Sequence, residues 1–149
     1  MPRLSRHRLR YLVLPCLLVL AGCGATPTAD LPAPEVTLTN TYWRLASVDG
    51  ESPPTPREGN TPHLIFQDDG QVRGHTGCNI LKGAYGQSDG QVRFLAMGAT
   101  RMACPEAEAE AAFVGAMRDT RAMEIKGRKL YLRSADGSTL AVFDTVPPR

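Results

Sequence analysis

Cys78 and Cys104 are the side chains whose chemistry matters most here. His75 precedes the first by three positions, and His63 lies further upstream. Three uses fit such a set. In an exported chain, paired thiols oxidise to a disulfide. In a metal site, the two cysteines would join His75 and His63. Zinc, however, takes four tetrahedral ligands and usually draws them from tight pairs such as Cys-x-x-Cys, and no second tight pair exists here. In a nucleophilic site, His75 or His63 would serve as base, and Gly77 and Asn79 would supply polar groups around the oxyanion. That chemistry also needs a thiolate and an orienting third group, and a lone His-x-x-Cys is a weak sign of it. The Cys-x-x-Cys spacing that lowers a redox thiol's pKa is absent. The expected reading is a structural disulfide, with redox or metal binding by Cys78 and Cys104 as the alternative. Gly74, Gly77, Gly83 and Gly86 lead into no helix N-terminus, so no phosphate cradle and no cofactor are expected. Asn79 is expected to close a turn with its side-chain amide, and His75 to be a solvated or hydrogen-bonded loop residue, not a ligand.

The compartment follows from the N-terminus. Arg3, Arg6, Arg8 and Arg10 stand without an acid, and the apolar run Tyr11–Leu20 follows. A basic n-region before a short apolar core reads as a signal peptide. The run is shorter than the roughly 20 residues a spanning helix needs. Leu20-Ala21-Gly22-Cys23 has the pattern of a bacterial lipobox, in which two small residues precede an acylated cysteine. The expected organisation is a signal peptide over 1–22, then the lipidated Cys23 with a Pro-rich tether over 23–37, then a domain over 38–146. Cys16 lies inside the signal, so with Cys23 acylated only one intramolecular pairing remains, Cys78 with Cys104.

The whole chain carries 17 basic and 15 acidic side chains. Removal of the four signal arginines leaves 13 basic groups and a net charge near −2. No basic patch favours nucleic acid. Membrane attachment must then come from the lipid on Cys23, and two or more acyl chains suffice for it. Gly24 follows Cys23, with no aspartate there to retain the chain in an inner membrane. In a Gram-negative host the expected location is the periplasmic face of the outer membrane. A monomer is expected.

The elements that position the cysteines are mostly strands. Thr41–Val48 alternates, with Trp43, Leu45 and Ser47 on one side. Prolines and glycines break the chain over 50–62. His63–Phe66 and Gln71–Gly74 flank the turn Asp68-Asp69-Gly70, a hairpin signal. The word Asp-Gly-Gln-Val-Arg recurs at Asp89–Arg93 and marks a second hairpin after Ala84-Tyr85. Met123–Lys126, Lys129–Arg133 and Thr139–Phe143 are joined by further Gly-containing turns. One helix is expected over Pro105–Arg118, with Pro105 at its first position. Glu106, Glu108 and Glu110 would lie near its positive end. Its apolar stripe is Ala109, Phe113, Ala116 and Met117. The expected class is α+β: an antiparallel, strongly twisted or partly closed sheet of short hairpins with one packed helix. The expected core is Trp43, Phe66, Phe94, Phe113, Met117, Leu130, Leu132 and Val142.

Several of these pieces resemble the META domain, the HslJ-like family. They are Thr41-x-Trp43-x-Leu45, then Gly74-x-x-Gly77-Cys78-Asn79 with Gly83-x-Tyr85, then Thr100-x-Met102-Ala103-Cys104, the helix, and Leu130-x-Leu132. The resemblance covers roughly Leu38 to Val146. It implies an antiparallel sheet with a helix and no enzymatic activity. It also implies links to heat shock, novobiocin resistance, and motility or secretion, often in envelope lipoproteins. The family offers no established catalytic residues to carry over. The resulting expectation is a non-enzymatic cell-envelope lipoprotein that serves stress tolerance by binding an envelope protein or a small ligand. The proline-rich loop Ser52–Pro62 lies outside the motif, and a partner surface there would be peculiar to this chain.

Overall fold

The computed structural model describes residues 35–54, 60–89 and 91–145. The signal peptide, Cys23 and most of the 23–37 tether lie outside the described residues.

Eight strands and one helix follow in order: β1 (Tyr42–Val48), β2 (His63–Phe66), β3 (Gln71–His75), β4 (Ile80–Ser88), β5 (Gln91–Ala99), α1 (Ala107–Asp119), β6 (Ala122–Lys126), β7 (Lys129–Arg133) and β8 (Thr139–Thr145). They form one antiparallel sheet in the order β5-β4-β3-β2-β1-β8-β7-β6. The first and last strands pair at its centre, so two meanders are joined side by side. The sheet curls into a half-barrel. Its two edge strands are consecutive in the chain apart from α1, and they approach each other: the Val92 N–H donates to the Arg121 carbonyl at 2.8 Å. No described helix is long and apolar enough to cross a membrane.

The half-barrel is filled by Trp43, Leu64, Phe66, Leu81, Leu130, Leu132 and Phe143, and α1 closes it with Phe113, Ala116 and Met117. Trp43 is buried with its indole N–H satisfied by the Leu38 carbonyl at 2.9 Å. Val36 and Leu38 pack against this core, so chain order begins before β1.

Four expectations need correction. Val142 is only half-buried, and its neighbours Ala141 and Phe143 face inward instead. The run Leu140–Phe143 is apolar throughout, so alternation could not set its phase; pairing with Leu45 and Leu130 does. Ser47 is not on the inner face of β1. A bulge between Leu45 and Ser47 inserts one residue and turns Val48 inward. Pro105 does not open the helix. Glu106 has non-helical backbone angles, and α1 starts at Ala107. Phe94 is half-buried and packs on Phe66 with ring centroids 5.9 Å apart.

Candidate functional site

Thr76-Gly77-Cys78-Asn79 forms the tight turn between β3 and β4. The Thr76 N–H donates to the Asn79 carbonyl at 2.8 Å. The Asn79 and Cys78 N–H groups both donate to the Thr76 hydroxyl oxygen, at 2.8 and 3.2 Å. Gly77 takes φ +104°, and a Cβ there would sit 3.2 Å from Pro62 Cγ. The turn therefore requires glycine at that point.

Asn79 is 3% exposed and reaches far beyond its own turn. Its Oδ1 accepts from the Thr100 hydroxyl at 2.8 Å and from the Met102 N–H at 2.9 Å. Its Nδ2 donates to both Glu110 carboxylate oxygens at 2.9 and 3.1 Å, and approaches Cys104 Sγ at 3.2 Å. One amide thus ties the turn, the segment after β5 and helix α1 together. The Thr100 hydroxyl also accepts from the Ile80 N–H at 3.0 Å. The Cys78–Cys104 disulfide joins the same two segments, with Cα atoms 6.0 Å apart.

The other motif residues have equally local reasons. Gly83 faces a bulge in β5, and a Cβ would run into the Met97 side chain and lie 3.0 Å from its Cα. The Tyr85 hydroxyl donates to the Gln67 carbonyl at 3.0 Å, and the ring stands edge-on to Phe66. Met102 contributes its backbone N–H to Asn79, while its side chain is 56% exposed.

The histidines do not join the sulfurs. His63 and His75 are register partners on β2 and β3, with rings stacked at 6.4 Å. His75 Nδ1 accepts the Gly77 N–H at 3.0 Å, which assigns its neutral-form proton to Nε2. Burial holds His75 below the ordinary imidazole value; repulsion from His63 adds to this, and Glu110 opposes it. The group that could close on a metal is instead Cys78, Cys104 and Glu110, whose donor atoms lie within 4.8 Å of one another. While the sulfurs are bonded, neither offers a thiolate to a metal or a substrate.

Glu110 was not singled out by sequence reasoning, which grouped it with Glu106 and Glu108 as a helix-end acid. Its spacing carried the signal: it stands three residues before Phe113 and so shares the inward side of α1. Its Oε1 also accepts the Thr76 hydroxyl at 2.9 Å.

Above this knot lies a cleft of about 340 Å³. Its walls come from the end of β1, from Pro53, Pro54 and Pro62 of the proline-rich loop, from Met102 and Ala103, and from the first turns of α1. The disulfide turn lines its floor. Glu51, Glu106 and Glu110 are its only charged lining side chains among the described residues.

Replacing Asn79 with aspartate tests the knot at constant shape. The substitution sets a carboxylate against Glu110 where an N–H donor stood. Stability at neutral pH is expected to fall by about 1–3 kcal/mol, as for a buried polar group left without its partner. Acid is expected to recover part of the loss, because the introduced carboxyl then takes up a proton and donates again. Urea titrations of native chain and variant across pH check both the size and the direction.

A family model described as the META domain matches residues 36–147. No curated protein matches the chain. A solution structure of a protein from Burkholderia xenovorans is similar at 26% identity and a TM-score of 0.57, covering 83% of this chain and 98% of that one. A second solution structure matches at 22% identity and a TM-score of 0.55, covering 73% and 95%, and supports the fold alone.

Proposed function

Since the chain belongs to the META-domain family, we propose that it is a non-enzymatic binding module of the bacterial cell envelope. It is anchored by lipid on Cys23 and serves stress tolerance by holding a protein or small ligand in the cleft above the disulfide turn. The observation that carries this reading is the role of the motif side chains. Gly77, Asn79, Thr100 and the two cysteines hold the turn, the segment after β5 and helix α1 together, and these segments line the cleft. Clefts of this size with apolar walls and a few fixed polar groups are typical of ligand sites.

The test is complementation of a strain lacking the gene, scored as survival of heat and of novobiocin. The native chain is expected to restore survival. Cys23→Ala is expected to leave the protein unacylated by mass spectrometry of its N-terminus, displaced from the membrane, and unable to restore it. Ala103→Trp places a large side chain at an exposed cleft position without touching the core, and it is expected to fail as well while remaining membrane-bound. Full survival with Ala103→Trp would contradict the binding reading, and full survival with Cys23→Ala would contradict the lipid anchor. The redox or metal alternative draws on the closeness of Glu110 to both sulfurs. It requires the disulfide to open in the cell, so the redox state of the pair there decides it.

A further inference from the structure

We propose that the cleft receives a small amphiphilic amine, with Glu110 as the counter-ion of its ammonium group and the apolar walls as the seat of its body. This inference rests on the binding reading above and names the ligand class.

The charge of the cleft selects the sign of the ligand. Glu51, Glu106 and Glu110 all line it. The four ion pairs of the described residues all lie elsewhere, on Asp119, Glu124 and Asp144. Three carboxylates repel an anion and raise the local concentration of a cation.

The hydrogen bonds on Glu110 select the group. A carboxylate offers about four acceptor positions. Thr76 and the Asn79 amide fill two on Oε1, and Asn79 also donates to Oε2. That leaves a position on Oε2 for a further N–H donor. The carboxylate is half-buried and fixed on a scaffold of turn, disulfide and helix. It is therefore oriented before a ligand arrives, which limits the entropy lost on binding.

The walls select the rest of the ligand. Leu45, Val48, Pro62, Ala109 and Ala112 present hydrocarbon. The exposed Met102 side chain at the rim is flexible and polarisable, so it can follow ligands of differing shape. The volume of about 340 Å³ lies at the small end of the roughly 300–1,000 Å³ of small-molecule pockets.

The test uses three probes with one apolar body and different heads: 4-phenylbutylamine, 4-phenylbutanol and 4-phenylbutyrate. They are titrated into the whole mature chain carrying Cys23→Ser, which removes only the anchor. Calorimetry gives affinity, and amide shifts around Gly77 and Ala109 give the place. The amine is expected to bind about tenfold or more tightly than the alcohol, as a charge-assisted hydrogen bond exceeds a neutral one. The acid is expected not to bind. Glu110→Gln is expected to make amine and alcohol bind alike, and Ala103→Trp to exclude both. Should Glu110→Gln fail to fold, the ranking of the three probes and its loss in Ala103→Trp still decide the matter. Alcohol or acid binding as tightly as the amine would overturn the inference, as would an amine preference that survives Glu110→Gln, or no binding of the amine. If these overturn it while Ala103→Trp cells still lose stress tolerance, the binding reading stands without the cation. If Ala103→Trp cells keep full tolerance, the binding reading itself falls.

Discussion

Replacing Phe113 with alanine is expected to lower the unfolding free energy by about 3–5 kcal/mol. Phe113 is 1% exposed, and its ring centroid lies 5.8 Å from that of Phe143 on β8. It stands at the centre of the α1 stripe that covers the half-barrel, between Ala116 and Met117 on one side and the cleft residue Ala109 on the other. Truncation removes the transfer free energy of the ring and leaves a cavity. The curled sheet around it is held by ladders on both flanks and cannot collapse into the space. The loss would take a large share of the roughly 5–15 kcal/mol that holds a typical domain. Val114, the next residue, points outward at 38% exposure, and Val114→Ala is expected to change stability by about 0.5 kcal/mol or less. Denaturant titrations of the two variants check the helix face directly, and equal costs would show that the face is misassigned.

The double replacement Cys78→Ala with Cys104→Ala is expected to cost about 3–4 kcal/mol, the loop-closure entropy of a cross-link of this length. The bond spans 26 residues, a stretch that contains all of β4 and β5. Without it the segment after β5 is held to the turn chiefly by Asn79 and Thr100. Those contacts remain in the variant, so the fold is expected to persist with a lower unfolding midpoint and an intact cleft. Stress tolerance is expected to be retained at temperatures where the variant stays folded. A single replacement is expected to do more harm in cells, because in the envelope location proposed above it leaves one unpaired thiol open to wrong partners.

Hairpins were legible in the chain because their turns are local. Asp68-Asp69-Gly70 and Gly127-Arg128 announce their geometry through residues that tolerate positive φ, and both join the expected strands. The helix stripe was legible for the same reason, since Phe113, Ala116 and Met117 repeat at helical spacing. What could not be read depended on strands distant in sequence. The phase of β8 is set by its pairing with β1 and β7, so Val142 and Phe143 were indistinguishable as candidates for the core. The bulge that turns Val48 inward is a property of the β1–β8 pair, not of either strand. At the site, the expectation that the Asn79 amide closes its own turn is wrong: the Thr76 hydroxyl and backbone close it, and the amide binds Thr100, Met102 and Glu110, which come from two other elements. The cleft is likewise assembled from four separate stretches, and no one of them carries a local mark of it.

The central claim is that Cys78 and Cys104 shape the cleft and do not turn over. The most direct measurement is their redox state in living cells, trapped by acid and alkylation before, during and after heat shock and read by mass. The expected result is a pair that stays oxidised throughout, with both cysteines alkylated only after added reductant. A reduced population that appears with stress and returns to the disulfide afterwards would contradict the claim and place redox or metal chemistry at this site.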